Sequence, residues 1–206
     1  MEQRGAGSER DHALRYSAES QDAAYRSGAY DYLLAVDMAP RMAAIAAYLR
    51  LFELKRVLDV GCGWGDLLSY LEPGVTYLGI DIAPSAIAQA RARFHDREGA
   101  TFEVADFRAW SSPIGELDCV VWAGIGRTWT RQGRKGDFRD WLEILALAER
   151  PLRRDGTIIV EMVAPHWETL EGLIIERYDY RAGCDIDHLR FDHLSKRSIR
   201  VLQCRP

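Results

Sequence analysis

The chain has 206 residues, 48% hydrophobic and 28% charged, with 31 acidic against 27 basic side chains and a net charge of −4. That length is enough to bury the core of one domain. No apolar run approaches the roughly 20 residues that a bilayer-spanning helix needs, and the acidic balance argues against a general nucleic-acid surface.

Residues 1–11 are polar and lack the apolar stretch of a signal peptide, and a frayed start is expected there. Residues 12–32 carry Tyr16, Tyr25, Tyr30 and Tyr32 among small and charged side chains, a pattern suited to weak helices or a mobile lid. Asp37 followed by Pro40 reads as an N-cap with proline in the first turn, and Met42, Ile45, Leu49 and Phe52 mark one face of the helix that follows. The apolar run 57–60 then ends in three glycines at alternate positions, Gly61, Gly63 and Gly65, and residues 66–72 show helical spacing. This reads as strand, tight turn and helix. A second strand closes at Asp81, and Pro84 opens a helix with Ile87, Ala90 and Phe94 on its apolar stripe.

A third strand over 101–105 ends at Asp106 and Phe107, and a fourth spans 117–122. After a loop over 123–136, Asp137 is placed to cap a helix bearing Phe138, Trp141, Leu142 and Leu145. Residues 154–156 turn the chain into a fifth strand, 157–163. Up to this point strand and helix alternate, the mark of a parallel sheet. The tail differs: residues 165–176 fit a helix, while 176–181 and 196–204 read as strands with no crossover helix between them. Cys62, Cys119, Cys184 and Cys204 show no paired spacing, so reduced thiols in a cytoplasmic protein are expected.

The glycine turn is G-x-G-x-G, distinct from the dinucleotide fingerprint G-x-G-x-x-G, and an acid stands sixteen residues beyond it at the tip of the second strand. Taken together, Val57 to Gly65 and Gly79-Ile80-Asp81 resemble the class I S-adenosylmethionine-dependent methyltransferases, from about residue 55 to the end of the chain. The resemblance implies an α/β fold: a Rossmann-like, seven-stranded, mostly parallel sheet with helices on both faces and an antiparallel C-terminal strand pair. One domain over 1–206 is expected, with a helical lid region at 1–52 and the S-adenosylmethionine-binding core at 53–206. In an open parallel sheet, ligands lie beyond the carboxyl ends of the strands. By the resemblance, the turn with Gly61, Cys62, Gly63 and Gly65 receives the methionine part of the cofactor, and Asp59 orients that loop. Asp81 takes the ribose hydroxyls, Ile82 covers one adenine face, and Asp106 accepts from the adenine amino group, with Phe107 as core or pocket wall. Backbone at Trp122 and Ala123 holds the methionine amino end.

Methyl transfer to a hydroxyl gains from a general base, and His166, three residues past the fifth strand, is the best-placed candidate. Tyr25, Tyr30, Trp122, Trp129 and Trp167 offer walls for an acceptor pocket. Arg127 and Arg131 either hold a carboxylate or phosphate or solubilise their loop. Cys184, Asp185, Asp187, His188, Asp192 and His193 fall within ten positions, but their spacing matches no specific metal site, and they are expected in a turn, so no metal is assigned. Trp122-Ala123 also stands where the catechol-type enzymes place a metal-binding acid, and nothing like Asn/Asp-Pro-Pro-Tyr follows the fourth strand. The expected activity is methyl transfer to a small-molecule acceptor, foremost O-methylation of a metabolite or natural product, with no nucleic-acid or membrane partner. The alternatives are an N- or C-methyltransferase, a protein or RNA methyltransferase, and a cofactor-binding regulatory protein without transfer activity.

Overall fold

β1, Arg56–Val60, runs through the middle of the structure, and its side chains alternate between two apolar layers. Val57 joins one layer and Leu58 and Val60 the other, as expected of a parallel strand covered on both faces. The computed structural model describes residues 17–111, 116–124, 139–163, 167, 171–172, 174–190 and 193–205. The remaining strands are β2 (Thr76–Asp81), β3 (Ala100–Val104), β4 (Leu117–Ala123), β5 (Leu152–Val163), β6 (Tyr178–Arg190) and β7 (His193–Cys204). Their order in the single seven-stranded sheet is β3-β2-β1-β4-β5-β7-β6. The pairs from β3 across to β5 are parallel, and β7 runs antiparallel to both of its neighbours. Strand order reverses between β1 and β4, and open parallel sheets bind ligands at the carboxyl ends of such a reversal.

Four α-helices fall within the described residues: α1 (Ala18–Arg26), α2 (Ala39–Leu51), α3 (Pro84–Arg93) and α4 (Arg139–Glu149). Ile45 and Leu49 of α2 and Ile87 and Ala90 of α3 pack in one layer with Tyr77, Val121 and Ile159. Ile144, Leu145 and Ala148 of α4 pack in the other with Leu58, Ile80 and Val160. Burying a side chain such as Ile45 or Leu49 contributes about 1.5–3 kcal/mol. Proline in the first turn starts α2 and α3, because its missing N–H would have no partner there.

Several boundaries differ from the sequence pattern. The segment after the glycine turn is a short 3-10 helix, Asp66–Tyr70, with Leu67 and Leu68 buried. Asp37 lies inside a 3-10 turn, Val36–Met38, and the cap of α2 is Met38, without a side-chain bond. β5 starts five residues before Thr157, so residues 154–156 are part of the strand. β6 and β7 form a hairpin far longer than expected, paired from Tyr178 with Cys204 out to Arg190 with His193. Cys184, Asp185 and Asp187 therefore sit on a strand and not in a turn, and Asp185 accepts hydrogen bonds from Ser198 and Arg200. Half of the residues of the helix expected over 165–176 lie outside the described ones, and 167, 171, 172 and 174 are helical. No helix among the described residues is long and apolar enough to cross a membrane.

Candidate active site

The glycine turn hangs from β2: the amides of Gly61 and Cys62 both donate to the Ile80 carbonyl, at 2.8 and 3.0 Å. Gly61, Gly63 and Gly65 all have positive φ, between 54° and 75°, which side-chain-bearing residues rarely adopt. At Gly65 a Cβ would also stand 2.9 Å from the Phe102 ring, so the turn is pressed directly onto the core. Cys62 turns its thiol inward, where burial pushes its pKa up and leaves it unreactive.

Asp81, at the end of β2, is only 7% exposed and points across to this turn. Its Oδ2 accepts from the Gly63 amide at 3.0 Å and its Oδ1 from the Ala83 amide at 2.9 Å. Burial raises its pKa, and these backbone donors oppose the rise. The acid and the glycine turn are thus one hydrogen-bonded unit at the carboxyl ends of β1 and β2.

α1 closes over that unit. The Tyr25 hydroxyl donates to Asp81 and occupies the space beside Gly63, where a Cβ would lie 2.7 Å from it. The Tyr25 ring meets Trp64 edge-on at 5.4 Å and Tyr30 at 4.7 Å, and Tyr30 donates to Gln21 at 2.6 Å. Asp22 anchors the helix by accepting from the Ser85 amide at 2.7 Å, which supplies α3 with the N-terminal cap that Ala83 lacks. The structure therefore sets Tyr25 and Tyr30 against the glycine turn, with Tyr25 on Asp81.

Beneath the turn, Asp59 is 5% exposed and accepts from the Tyr77 hydroxyl at 2.6 Å. Burial raises its pKa to about 7 despite that bond. Asp106, just past β3, is held by Arg108, whose backbone amide and guanidinium both reach it. These bonds keep its pKa below the ordinary value. Ile82 is half-buried beside Asp81. Phe107 and Trp122 are core residues in edge-on contact at 5.3 Å, so the Trp122 ring belongs to the apolar layer. Ala123 is half-buried at the end of β4, and Trp167 is 4% exposed in the same layer as Trp122. His166, Arg127 and Trp129 lie outside the described residues.

One group escaped the sequence reading. Glu161 of β5 is completely buried and bound by two guanidiniums, those of Arg41 on α2 and Arg197 on β7. The available signal was a lone carboxylate in the apolar run Ile158-Ile159-Val160-Glu161-Met162-Val163, since such a charge demands partners. Nothing in the sequence named the two arginines.

Comparison with known proteins agrees with this geometry. The family model described as "Methyltransferase domain" matches residues 57–153, from β1 into β5. Trans-aconitate 2-methyltransferase of Escherichia coli is 33% identical over 88 residues, 41% of this chain and 33% of that protein. The match thus spans about a third of the length of the curated relative. Among solved structures, the N-methyltransferase NodS from Bradyrhizobium japonicum WM9 superposes with a TM-score of 0.65 at 15% identity, over 82% of this chain and 97% of that one. Magnesium protoporphyrin IX methyltransferase from Synechocystis PCC 6803 does so at 0.60 and 15%, over 83% and 81%. Residues 57–153 thus match the methyltransferase-domain model, and the fold is that of the solved methyltransferases. The sequence resemblance implies S-adenosylmethionine as the cofactor. The residues present fit it: a positive-φ turn that only glycine leaves open, beside a buried acid with a hydroxyl already on it.

Proposed function

We propose that the protein transfers the methyl group of S-adenosylmethionine to an oxygen of a small-molecule acceptor. The observation that supports this best is the joining of Asp81 to the Gly63 amide beside the strand-order reversal, where β4 ends at Ala123. Two of the similar proteins, trans-aconitate 2-methyltransferase and magnesium protoporphyrin IX methyltransferase, carry small-molecule acceptors in their names. When bound, the cofactor supplies a methyl group already activated on a positively charged sulfur. What remains for the chain is placement, and holding two reactants in line accounts for much of such a rate enhancement. Asp81 accepts from the ribose hydroxyls, the backbone of 61–65 admits the methionine part, and Asp106 accepts from the adenine amino group. His166, three residues beyond the last residue of β5, takes the proton from a hydroxyl acceptor.

The test uses the purified full chain. Calorimetric titration with S-adenosylhomocysteine is expected to show saturable one-to-one binding. Incubation with methyl-labelled cofactor and a panel of phenols, hydroxy acids and amines is expected to label a hydroxyl-bearing compound with stoichiometric formation of S-adenosylhomocysteine. Labelling of amines alone would overturn the oxygen assignment, and absence of cofactor binding would overturn the whole reading.

A further inference from the structure

Among the described residues, the charges around Glu161 of β5 do not balance. Arg41 donates to Glu161 through Nε at 3.0 Å and Nη2 at 2.7 Å. Arg197 donates to the same carboxylate through Nε and through Nη2, the latter at 2.6 Å. Four N–H groups thus fill the lone-pair positions of one carboxylate. Burial would raise the pKa of Glu161, but the two guanidiniums reverse that and keep it ionised. Two positive charges against one negative leave a surplus positive charge, with Arg41 5% exposed and the Arg197 side chain 13% exposed. Arg41 Nη1 has only the Met38 sulfur, at 3.4 Å, and Arg197 Nη1 has no partner among the described residues. A thioether is a weak acceptor for a charged donor, and a buried charge without its counterpart is costly.

The cluster also has an opening. Gly124, exposed at the end of β4 with φ +76°, lies directly over it. A Cβ there would stand 3.1 Å from Arg41 Nη2 and 3.9 Å from both Arg197 Nη2 and Glu161 Oε2, so the missing side chain leaves room for a ligand to approach the cluster from this side. Glu161 pairs with Ala123 across β4, and β4 separates β5 from β1. With adjacent strands about 4.8 Å apart, the cluster lies about 10 Å from the glycine turn, on the side away from Asp81 and the ribose.

We propose that Arg41 and Arg197, held in place by Glu161, form a carboxylate-binding subsite that anchors the methyl acceptor. This rests on the methyltransferase reading above. The guanidinium fork matches a carboxylate in plane and spacing, so the acceptor carries a carboxylate as a handle beside the atom that receives the methyl group.

The experiment measures binding of trans-aconitate and benzoate to the full chain saturated with S-adenosylhomocysteine, beside trimethyl trans-aconitate and benzamide. At least one acid is expected to bind about tenfold or more tighter than its uncharged counterpart, the effect of one charged hydrogen bond. Arg197→Met leaves Arg41 and Glu161 as a balanced pair and should lose that preference while the S-adenosylhomocysteine Kd stays within about twofold. Arg197→Lys, which keeps the charge without the fork, should fall between the two. Equal binding of acids and neutral counterparts, or an acid preference intact in Arg197→Met, would overturn the subsite. If Arg197→Met weakens S-adenosylhomocysteine instead, the cluster serves the cofactor's own carboxylate; the proposal then fails while the methyltransferase reading stands. Wild-type protein that binds no S-adenosylhomocysteine overturns both.

Discussion

Asp81 holds the fold together at the place proposed for the ribose. Its two oxygens already tie the glycine turn to the start of α3 through the amides of Gly63 and Ala83. Replacement by alanine would therefore loosen the cradle as well as remove the ribose contact. Asp81→Asn disturbs the cradle less, because the amide keeps the shape and one of the two acceptor oxygens while removing the charge. Its loss should weaken S-adenosylhomocysteine binding by about 1.5–3 kcal/mol, roughly 10- to 150-fold, since hydrogen bonds to a charged acceptor are the strong ones. Calorimetry on a variant with a cooperative melt reads this directly, and unchanged affinity would place the ribose elsewhere. This acid was legible in sequence because its signal is local: a short apolar strand ending in aspartate, at a fixed distance from a glycine turn. Glu161 carries a local signal too, but its partners do not. Arg41 is 120 residues away and Arg197 is 36, and neither position differs in pattern from any surface arginine.

At the level of elements, the alternation of strand and helix through β5 was readable from periodicity, and the β6–β7 hairpin was readable as a pair but not in length. Its outer residues are mostly polar, with only Ile186, Leu189 and Leu194 apolar, so no sustained alternation marks how far the pairing runs. Tyr25 of α1 and the nearby Tyr30 are expected as acceptor-pocket walls; the structure sets both against the glycine turn and Tyr25 also against Asp81, the acid expected to take the ribose. A lone tyrosine on a weak helix carries no signal of which strand end it will meet. The consequence is competition: ribose hydroxyls and the Tyr25 hydroxyl seek the same carboxylate. Tyr25→Phe keeps the ring contacts with Trp64 and Tyr30 and removes only the rival donor. Its S-adenosylhomocysteine affinity should rise, by up to about tenfold for the loss of one charge-assisted bond in the free protein. A weaker affinity would show that the hydroxyl stays in place as part of the bound site.

For the whole molecule, the turn expected to hold the cofactor is set over a buried carboxylate, that of Asp59. Asp59 lies on β1 and Tyr77 on β2, directly under the glycine turn, and their hydrogen bond joins the two central strands. Burial raises the Asp59 pKa from its ordinary 3.8 to about 7. The folded chain therefore holds this proton more tightly than the unfolded chain does. The sign follows from linkage: the stabilisation is fully present below pH 3.8, declines as pH rises, and is gone above pH 7. Asp81, also raised by burial, adds to the same trend, so the wild-type melt alone would not single out Asp59. Asp59→Asn does, because asparagine still accepts from Tyr77 but has no proton to lose. Thermal melts of both proteins at pH 5 and pH 8 should show the wild type losing stability relative to the variant as pH rises, by on the order of a few kcal/mol. Parallel melts across this range would mean that Asp59 stays ionised in the fold, supported by charges other than the single hydroxyl of Tyr77.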